Sequence, residues 1–179
     1  VASTGRSITD YMTEKLWHPL GSESPAHWLI DNQGMEMAFG GLNATARDYA
    51  KLGELYRLGG QLNGAQIVPA DWVRASVTPD APHLQPKTDA PDGEFNLGYG
   101  YQWWIPAGDE GEFSAIGVYN QFIYVNPTQN VVIVIVSATS DYGTSHDESR
   151  SREMVRIEVF RPIADPMTDA QVEPATGGG

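Results

Sequence analysis

The sequence contains no cysteine, and this absence removes several kinds of chemistry. Without thiols the chain forms no disulfide, uses no cysteine nucleophile and holds no metal through thiolate ligands. The absence leaves the redox compartment open, because reducing and oxidising surroundings are both compatible with a chain that has no thiol. The chemistry of the protein must therefore depend on hydroxyl, imidazole, carboxylate or backbone groups.

Basic residues and long apolar runs are also scarce. Eleven lysines and arginines stand against 23 aspartates and glutamates, which gives a net charge of −12. Nucleic-acid binding needs a positive surface, so we expect no nucleic-acid partner. The longest apolar run, residues 131–136, is far shorter than the roughly 18 residues of a membrane-spanning helix, so we expect no membrane span. With 41% hydrophobic and 19% charged residues, the composition is that of a globular protein.

The residue patterns divide the chain into four segments. Residues 1–78 are predicted to be a helical segment, and residues 79–94 a proline-rich loop. Residues 95–161 are predicted to form antiparallel strands followed by a C-terminal helix. Residues 162–179, which end in three glycines, are predicted to be a flexible tail. We expect all four segments to belong to one domain.

Capping and turn residues indicate the elements of the helical segment. Ser7 and Thr45, each followed three positions later by an aspartate, predict the starts of two helices. Apolar residues at helical spacing continue these helices until proline or glycine ends them, the first at about residue 20. The pair Asn63-Gly64 then predicts a tight turn, and Pro69 predicts the start of a short third helix.

The second half of the chain has the pattern of strands. Residues 97–105, 113–116, 122–125 and 131–137 are joined by short turns, which predicts an antiparallel meander. The last run is apolar without alternation, so both its faces are expected to be buried. A helix is predicted over about residues 148–160. These elements together predict an α+β fold in which an antiparallel sheet is flanked by helices.

Serine, histidine and acidic residues lie close together after the last predicted strand. Ser145-His146-Asp147 has the residue types of a nucleophilic triad, but no Gly-x-Ser-x-Gly sequence surrounds any serine. A solvated loop is the stronger interpretation of this cluster. Its other members are Ser140, Asp141 and Ser137, which is the last residue of that predicted strand.

The remaining titratable residues favour structural roles. His18, His27 and His83 do not have the spacing of metal ligands, so neither a metal site nor a cofactor is predicted. The acidic residues concentrate in predicted turns and loops, where solvated charge is the default interpretation. They include Asp80, Asp89, Asp92, Asp109, Glu110 and Glu112.

Two stretches that contain glycine are unusual for their positions. Gly40-Gly41 comes shortly before a capped helix, and Gly117 interrupts a strand in Ala115-Ile116-Gly117. Glycine lets the backbone approach another segment or a ligand closely. Each stretch therefore allows a structural or a functional interpretation.

These stretches and their neighbours resemble the serine hydrolases related to class C β-lactamases, in particular the branch that contains 6-aminohexanoate-dimer hydrolase and esterases. The resemblance extends to about residue 160 and rests on four segments in series. The segments are Leu16-Trp17-His18-Pro19-Leu20-Gly21, Gly40-Gly41-Leu42-Asn43-Ala44-Thr45-Ala46-Arg47-Asp48, Gly98-Tyr99-Gly100-Tyr101-Gln102-Trp103-Trp104 and Phe122-Ile123-Tyr124-Val125-Asn126-Pro127. The resemblance implies a β-lactamase/transpeptidase-like fold, of which this chain holds only the C-terminal portion.

The mechanism of that family implies three motifs. They are a Ser-x-x-Lys with nucleophile and base, a Tyr-x-Asn that relays the proton, and a strand with Lys-Thr-Gly or a substitute. No serine here is followed three positions later by lysine: Ser3 is followed by Arg6 and Ser7 by Asp10. In the family the first two motifs lie upstream of the segment that resembles residues 7–21. We therefore expect both motifs outside this chain and neither within it.

Ala115-Ile116-Gly117 occupies the position of the third motif. The resemblance implies that the Val118 N–H donates to the oxyanion and that Ile116, Gly117, Tyr119 and Asn120 bind the substrate. Asn120 stands where the resemblance leads us to expect glycine. In the family a lysine or a hydroxyl at this motif binds a carboxylate of the β-lactam substrate, and this chain has neither there. The resemblance therefore implies amide or ester hydrolysis rather than β-lactam cleavage.

The leading hypothesis is therefore the C-terminal part of a serine amidohydrolase or esterase that acts on a small-molecule amide or ester. This chain alone is expected to be inactive, and to pair with a missing N-terminal half of the same fold or with a second copy of itself. The alternatives are a non-catalytic β-lactamase-like binding or scaffold module, and a complete small hydrolase that uses Ser145-His146-Asp147. Both the bacterial periplasm and the cytoplasm are compatible with the resemblance.

Overall fold

The computed structural model describes residues 3–87, 96–140, 142 and 157–165. Packing divides the chain into two units, Val1–Arg74 and Ala75–Gly179. Within the described residues, no helix has the length and apolar character needed to cross a bilayer.

The first unit contains the two capped helices. Helix α1 (Ile8–Met12) continues directly as a π-helical turn (Thr13–Trp17), and the Ser7 hydroxyl caps it by accepting from the Asp10 N–H at 3.0 Å. Helix α2 (Ala46–Arg57) starts after Thr45, whose hydroxyl accepts from the Asp48 N–H at 3.1 Å. Both predicted caps are confirmed, although the second half of the first helix is π-helical rather than α-helical.

Two short hairpins interrupt the helical segment. Strands β1 (His27–Trp28) and β2 (Leu42–Asn43) form the first hairpin. Strands β3 (Gln61–Leu62) and β4 (Ala65–Gln66) form the second around the predicted Asn63-Gly64 turn. Both turn residues have positive φ, 52° and 78°, which is the conformation such a turn requires. Helix α3 (Ala70–Ser76) follows Pro69 as predicted.

A five-stranded sheet dominates the second unit. Each strand pairs with the next in an antiparallel arrangement, which confirms the predicted meander. The strands are β5 (Gly98–Tyr99), β6 (Trp104–Ile105), β7 (Phe113–Gly117), β8 (Gln121–Asn126) and β9 (Val131–Ile135). A 3-10 helical turn, Pro82–Leu84, precedes the sheet within the predicted proline-rich loop.

Residues 97–105, predicted as one strand, are instead a hairpin of β5 and β6. The Gly100 N–H donates to the Trp103 carbonyl at 2.8 Å, and Gln102 has a positive φ of 68°. A Cβ at Gly100 would lie 2.0 Å from the Ser76 carbonyl oxygen. The chain therefore turns where its backbone passes close to α3, a contact that the strand pattern does not reveal.

The strand with both faces buried is β8 and not, as the sequence predicts, β9. Residues Phe122 to Asn126 of β8 are all buried, because this strand has neighbours on both sides and packing on both faces. In β9 only Val131 is fully buried, at 4% exposure. Within the described residues β9 lies at the edge of the sheet, so its apolar run is only partly covered.

A C-terminal helix, here α4, covers one face of this sheet over residues 157–165. Its Phe160 ring lies 5.7 Å from Phe122 and 5.2 Å from Tyr124, and these three residues form a buried cluster. The predicted start of this helix, residues 148–156, lies outside the described residues. The helix continues to residue 165, so the segment predicted to be a flexible tail begins with a helical turn.

Candidate active site

The strand that carries Ala115-Ile116-Gly117 ends in a tight turn. Gly117 of β7 pairs with Gln121 of β8, so only Val118, Tyr119 and Asn120 connect the two strands. Tyr119 and Asn120 both have positive φ, 64° and 65°. Asparagine adopts this conformation more readily than tyrosine does, so the turn needs support from other residues.

The three turn residues differ sharply in exposure. Val118 is 57% exposed and Tyr119 52%, whereas Asn120 is only 3% exposed. Among the described residues, no turn or loop hydrogen bond involves the Val118 N–H. Within the described part of the chain this N–H therefore has no acceptor of its own, as an oxyanion donor requires.

Residues that follow β9 support the turn. The Asn120 Nδ2 donates to the Thr139 Oγ1 at 3.0 Å, and this hydroxyl lies 3.0 Å from the Ser137 Oγ. The Ser137 N–H donates to the Gln121 Oε1 at 3.1 Å, and the Gln121 amide donates to the Ser137 carbonyl. Ser137 thus has a structural role beside the turn, in a segment that the sequence predicts to be a solvated loop.

The structure brings the sequence-predicted site residues together, but with different surroundings. Ile116, half-buried, packs against the cluster of Phe122, Tyr124 and Phe160, so part of its side chain belongs to the core. A Cβ at Gly117 would lie 3.2 Å from the Gln121 Cβ, a close but not prohibitive contact. The exposed surface of the predicted site is therefore formed chiefly by Val118 and Tyr119.

A buried polar cluster occupies the other end of β7. Glu112, predicted to be a solvated turn charge, is 4% exposed, so that prediction is wrong. Its carboxylate accepts from the Tyr124 hydroxyl and from the Arg161 Nε, the latter at 2.6 Å. Burial, and then the bond to Glu112, raise the pKa of Tyr124 well above that of a free tyrosine. The sequence does not reveal this cluster, because its members are far apart along the chain.

Tyr124-Val125-Asn126 has the letters of the Tyr-x-Asn motif, so the expectation that this tripeptide is absent is wrong. It lies on β8, after the third motif, and not in the upstream position that the resemblance implies for the catalytic motif. Tyr124 is fully buried, and the Asn126 side chain donates to Glu110 Oε2 at 2.5 Å. A tyrosine held in the core cannot relay a proton at the exposed turn.

The structure assigns no chemistry to the other candidates. His18, His27 and His83 are exposed, and no group of three potential metal ligands occurs among the described residues. Ser145, His146, Asp147 and Asp141 lie outside the described residues, as do Asp89 and Asp92.

The Gly40-Gly41 stretch has a structural explanation. A Cβ at Gly41 would lie 2.9 Å from both the Cβ and the carbonyl oxygen of Met37, whereas one at Gly40 would meet nothing within 4 Å. The following helix is anchored by Asp48, which is fully buried and accepts from the Glu23 N–H at 2.7 Å. Burial alone raises the pKa of Asp48, but the bonds from Glu23 and Thr45 outweigh it and lower the pKa.

Comparisons with known proteins place these features in a family. A family model described as beta-lactamase matches residues 1–156. Over 147 residues the chain is 31% identical to a 6-aminohexanoate-dimer hydrolase from Paenarthrobacter ureafaciens, a match that covers 80% of this chain and 36% of the relative.

Solved structures agree with this match. A Bacillus anthracis protein assigned as a 6-aminohexanoate-dimer hydrolase superposes with a TM-score of 0.74 at 30% identity, over 93% of this chain and 40% of its own. A penicillin-binding protein homologue from Caulobacter crescentus reaches a TM-score of 0.56 at 14% identity, over 75% of this chain and 47% of its own. The second likeness concerns the fold alone.

The chain thus spans 36% and 40% of the lengths of the two hydrolase relatives. The matches confirm the predicted β-lactamase/transpeptidase-like fold, of which the structure shows a part. Since the family model matches most of its length, the chain belongs to the beta-lactamase family.

Proposed function

We propose that this chain is the C-terminal part of a serine hydrolase that cleaves amide or ester bonds through an acyl-enzyme. The nucleophilic serine and its lysine base lie outside these 179 residues. The proposal is supported by the family match, by the hydrolase names of the relatives and by the absence of Ser-x-x-Lys from this sequence.

The observation that carries the proposal is the exposed Val118 after Gly117. When the serine oxygen bonds to the substrate carbonyl carbon, the lysine takes the hydroxyl proton and the carbonyl π electrons move to oxygen. The Val118 N–H donates to this oxyanion. Collapse of the intermediate then expels the amine or alcohol, which takes up the proton, and leaves an acyl-enzyme for water to hydrolyse. One such donor is typically worth about 2.7–4 kcal/mol.

The residues around Val118 favour a substrate that has no carboxylate next to the scissile amide or ester bond. Ala115 and Ile116 stand at the third motif and offer neither a cation nor a hydroxyl to a substrate carboxylate. Tyr119, about half exposed, adds an aromatic surface. The names of both hydrolase relatives make an amide of 6-aminohexanoate the first substrate to test.

The partner in this proposal is the remaining N-terminal half of the fold, and a second copy of the chain is the alternative. Large apolar side chains are exposed in both units, among them Leu29, Ile30, Met35, Phe39, Val136, Val159 and Ile163. Leaving on the order of 1,000 Å² of apolar surface uncovered would cost about 25 kcal/mol, more than the usual stability of a domain. We expect the isolated chain to be oligomeric or insoluble, and a monomer in light scattering that unfolds cooperatively would contradict this.

Labelling with a fluorophosphonate probe tests the proposed chemistry. The full-length protein should be labelled on a serine outside residues 1–179 and should release p-nitrophenol from p-nitrophenyl acetate, whereas this chain alone should do neither. A labelled peptide located by mass spectrometry within residues 1–179 would favour the Ser145-His146-Asp147 hypothesis. An unlabelled full-length protein would favour the non-catalytic module.

A further inference from the structure

Asn120 combines features that do not serve stability alone. It has a positive φ of 65°, is only 3% exposed, and its Oδ1 is buried without a hydrogen-bond partner in the part of the chain that the structure describes. A buried carbonyl oxygen with no partner destabilises a fold. The other half of the amide must therefore account for asparagine at this position.

That other half is attached to Thr139. The Asn120 Nδ2 donates to the Thr139 Oγ1 at 3.0 Å, and the Thr139 N–H donates to the Tyr119 carbonyl at 3.5 Å. Thr139 thus contacts both turn residues that have positive φ. It lies two residues after Ser137, whose hydroxyl and backbone connect it to the start of β8.

We propose that Asn120 is a positioning residue: through Thr139 it holds residues 119 and 120 in the left-handed conformation and so fixes the direction of the Val118 N–H. This inference rests on the proposed function, in which that N–H binds the oxyanion. Asparagine suits the position because it tolerates positive φ and carries a donor for Thr139. Glycine supplies only the first property, and alanine supplies neither.

Substitutions that break the bond between Asn120 and Thr139 should slow acylation. In the full-length protein, Asn120→Ala and Thr139→Val should each lower the acylation rate constant for p-nitrophenyl acetate about ten- to one-hundred-fold, because a displaced N–H stabilises the oxyanion less well. Thr139→Ser keeps the hydroxyl and should stay within about twofold of the wild type. The substrate dissociation constant obtained from the same pre-steady-state acylation kinetics should change little in every variant.

Asn130 provides a matched control. It also has a positive φ, 56°, but it is exposed and lies in the turn at the other end of β8. Asn130→Ala, like Asn120→Ala, places alanine at a positive φ, which is unfavourable. It should therefore lower the melting temperature without changing acylation. If Asn120→Ala and Asn130→Ala lower the melting temperature and both leave acylation unchanged, Asn120 is merely structural and the inference is overturned.

Rescue by the conservative variant separates positioning from a loss of packing. If Thr139→Val and Thr139→Ser slow acylation equally, the hydroxyl that accepts from Asn120 has no positioning role and the inference alone is overturned. A wild-type full-length protein that is never acylated would overturn the proposed function together with the inference.

Discussion

The guanidinium of Arg161 donates from Nε and Nη2 to one oxygen of the Glu112 carboxylate, while the Tyr124 hydroxyl donates to the other oxygen. The three side chains come from α4, from the residue before β7 and from β8, so they join the helix to the sheet. Glu112 lies before the start of β7 and the Val118 turn follows its end. Stability and catalysis can therefore be tested at opposite ends of one strand.

Removing the cation from this cluster should destabilise the protein. Arg161→Met removes the cation and the two hydrogen bonds that stabilise the buried Glu112 carboxylate. We expect a loss of about 1–3 kcal/mol in the free energy of unfolding of the full-length protein. The loss stays below that of a fully buried pair, because the Arg161 side chain is 38% exposed. Arg74→Met, which breaks the exposed Arg74–Asp71 pair, should cost about 0–1 kcal/mol. Equal losses in urea denaturation would contradict the role of Arg161.

The raised pKa of Tyr124 predicts a dependence of stability on alkaline pH. Below about pH 10 the phenol is protonated in both the folded and the unfolded state, so its contribution is fully present. As the pH rises further, the unfolded chain releases its proton first and stability falls. Between pH 8 and 11 the free energy of unfolding should therefore decline more steeply for wild type than for Tyr124→Phe. Parallel declines would show that Tyr124 ionises normally in the fold.

The adjacent glycines test the structural interpretation of Gly40-Gly41. Gly41→Ala places a Cβ against Met37 and should destabilise the protein by about 1–3 kcal/mol. Gly40→Ala meets open space, and it should be neutral or stabilise by up to about 1 kcal/mol because it restricts the unfolded chain. Thermal unfolding of the two variants is the measurement, and an equal effect would remove the distinction between these glycines.

The sequence predicts best those structural features that are determined by residues close together in the chain. The Thr45 cap, the Asn63-Gly64 turn and the strand meander are predictable, because the residues that determine them are neighbours. The position of the Val118 turn follows from the family resemblance. Each of these features is fixed without knowledge of distant contacts.

Features that depend on distant residues are not predictable from local pattern. Glu112 can be buried because the guanidinium of Arg161, 49 positions later, donates to its carboxylate. Asn120 is attached to Thr139, 19 positions away. The apolar run of β9 does not show which strand of the sheet has neighbours on both sides. These errors have one physical cause, since burial is set by tertiary packing and not by the residue type alone.

Replacing the Val118 amide with an ester tests the central claim most directly. Incorporating α-hydroxyisovaleric acid at position 118 of the full-length protein replaces the N–H with an ester oxygen and keeps the side chain. The same replacement at the exposed Val136 is the matched control for the weaker ester carbonyl. Acylation should slow about 10²–10³-fold with the ester at position 118 and stay unchanged with the ester at position 136. An ester at position 118 that is acylated as fast as the wild type would contradict the assignment of the oxyanion donor.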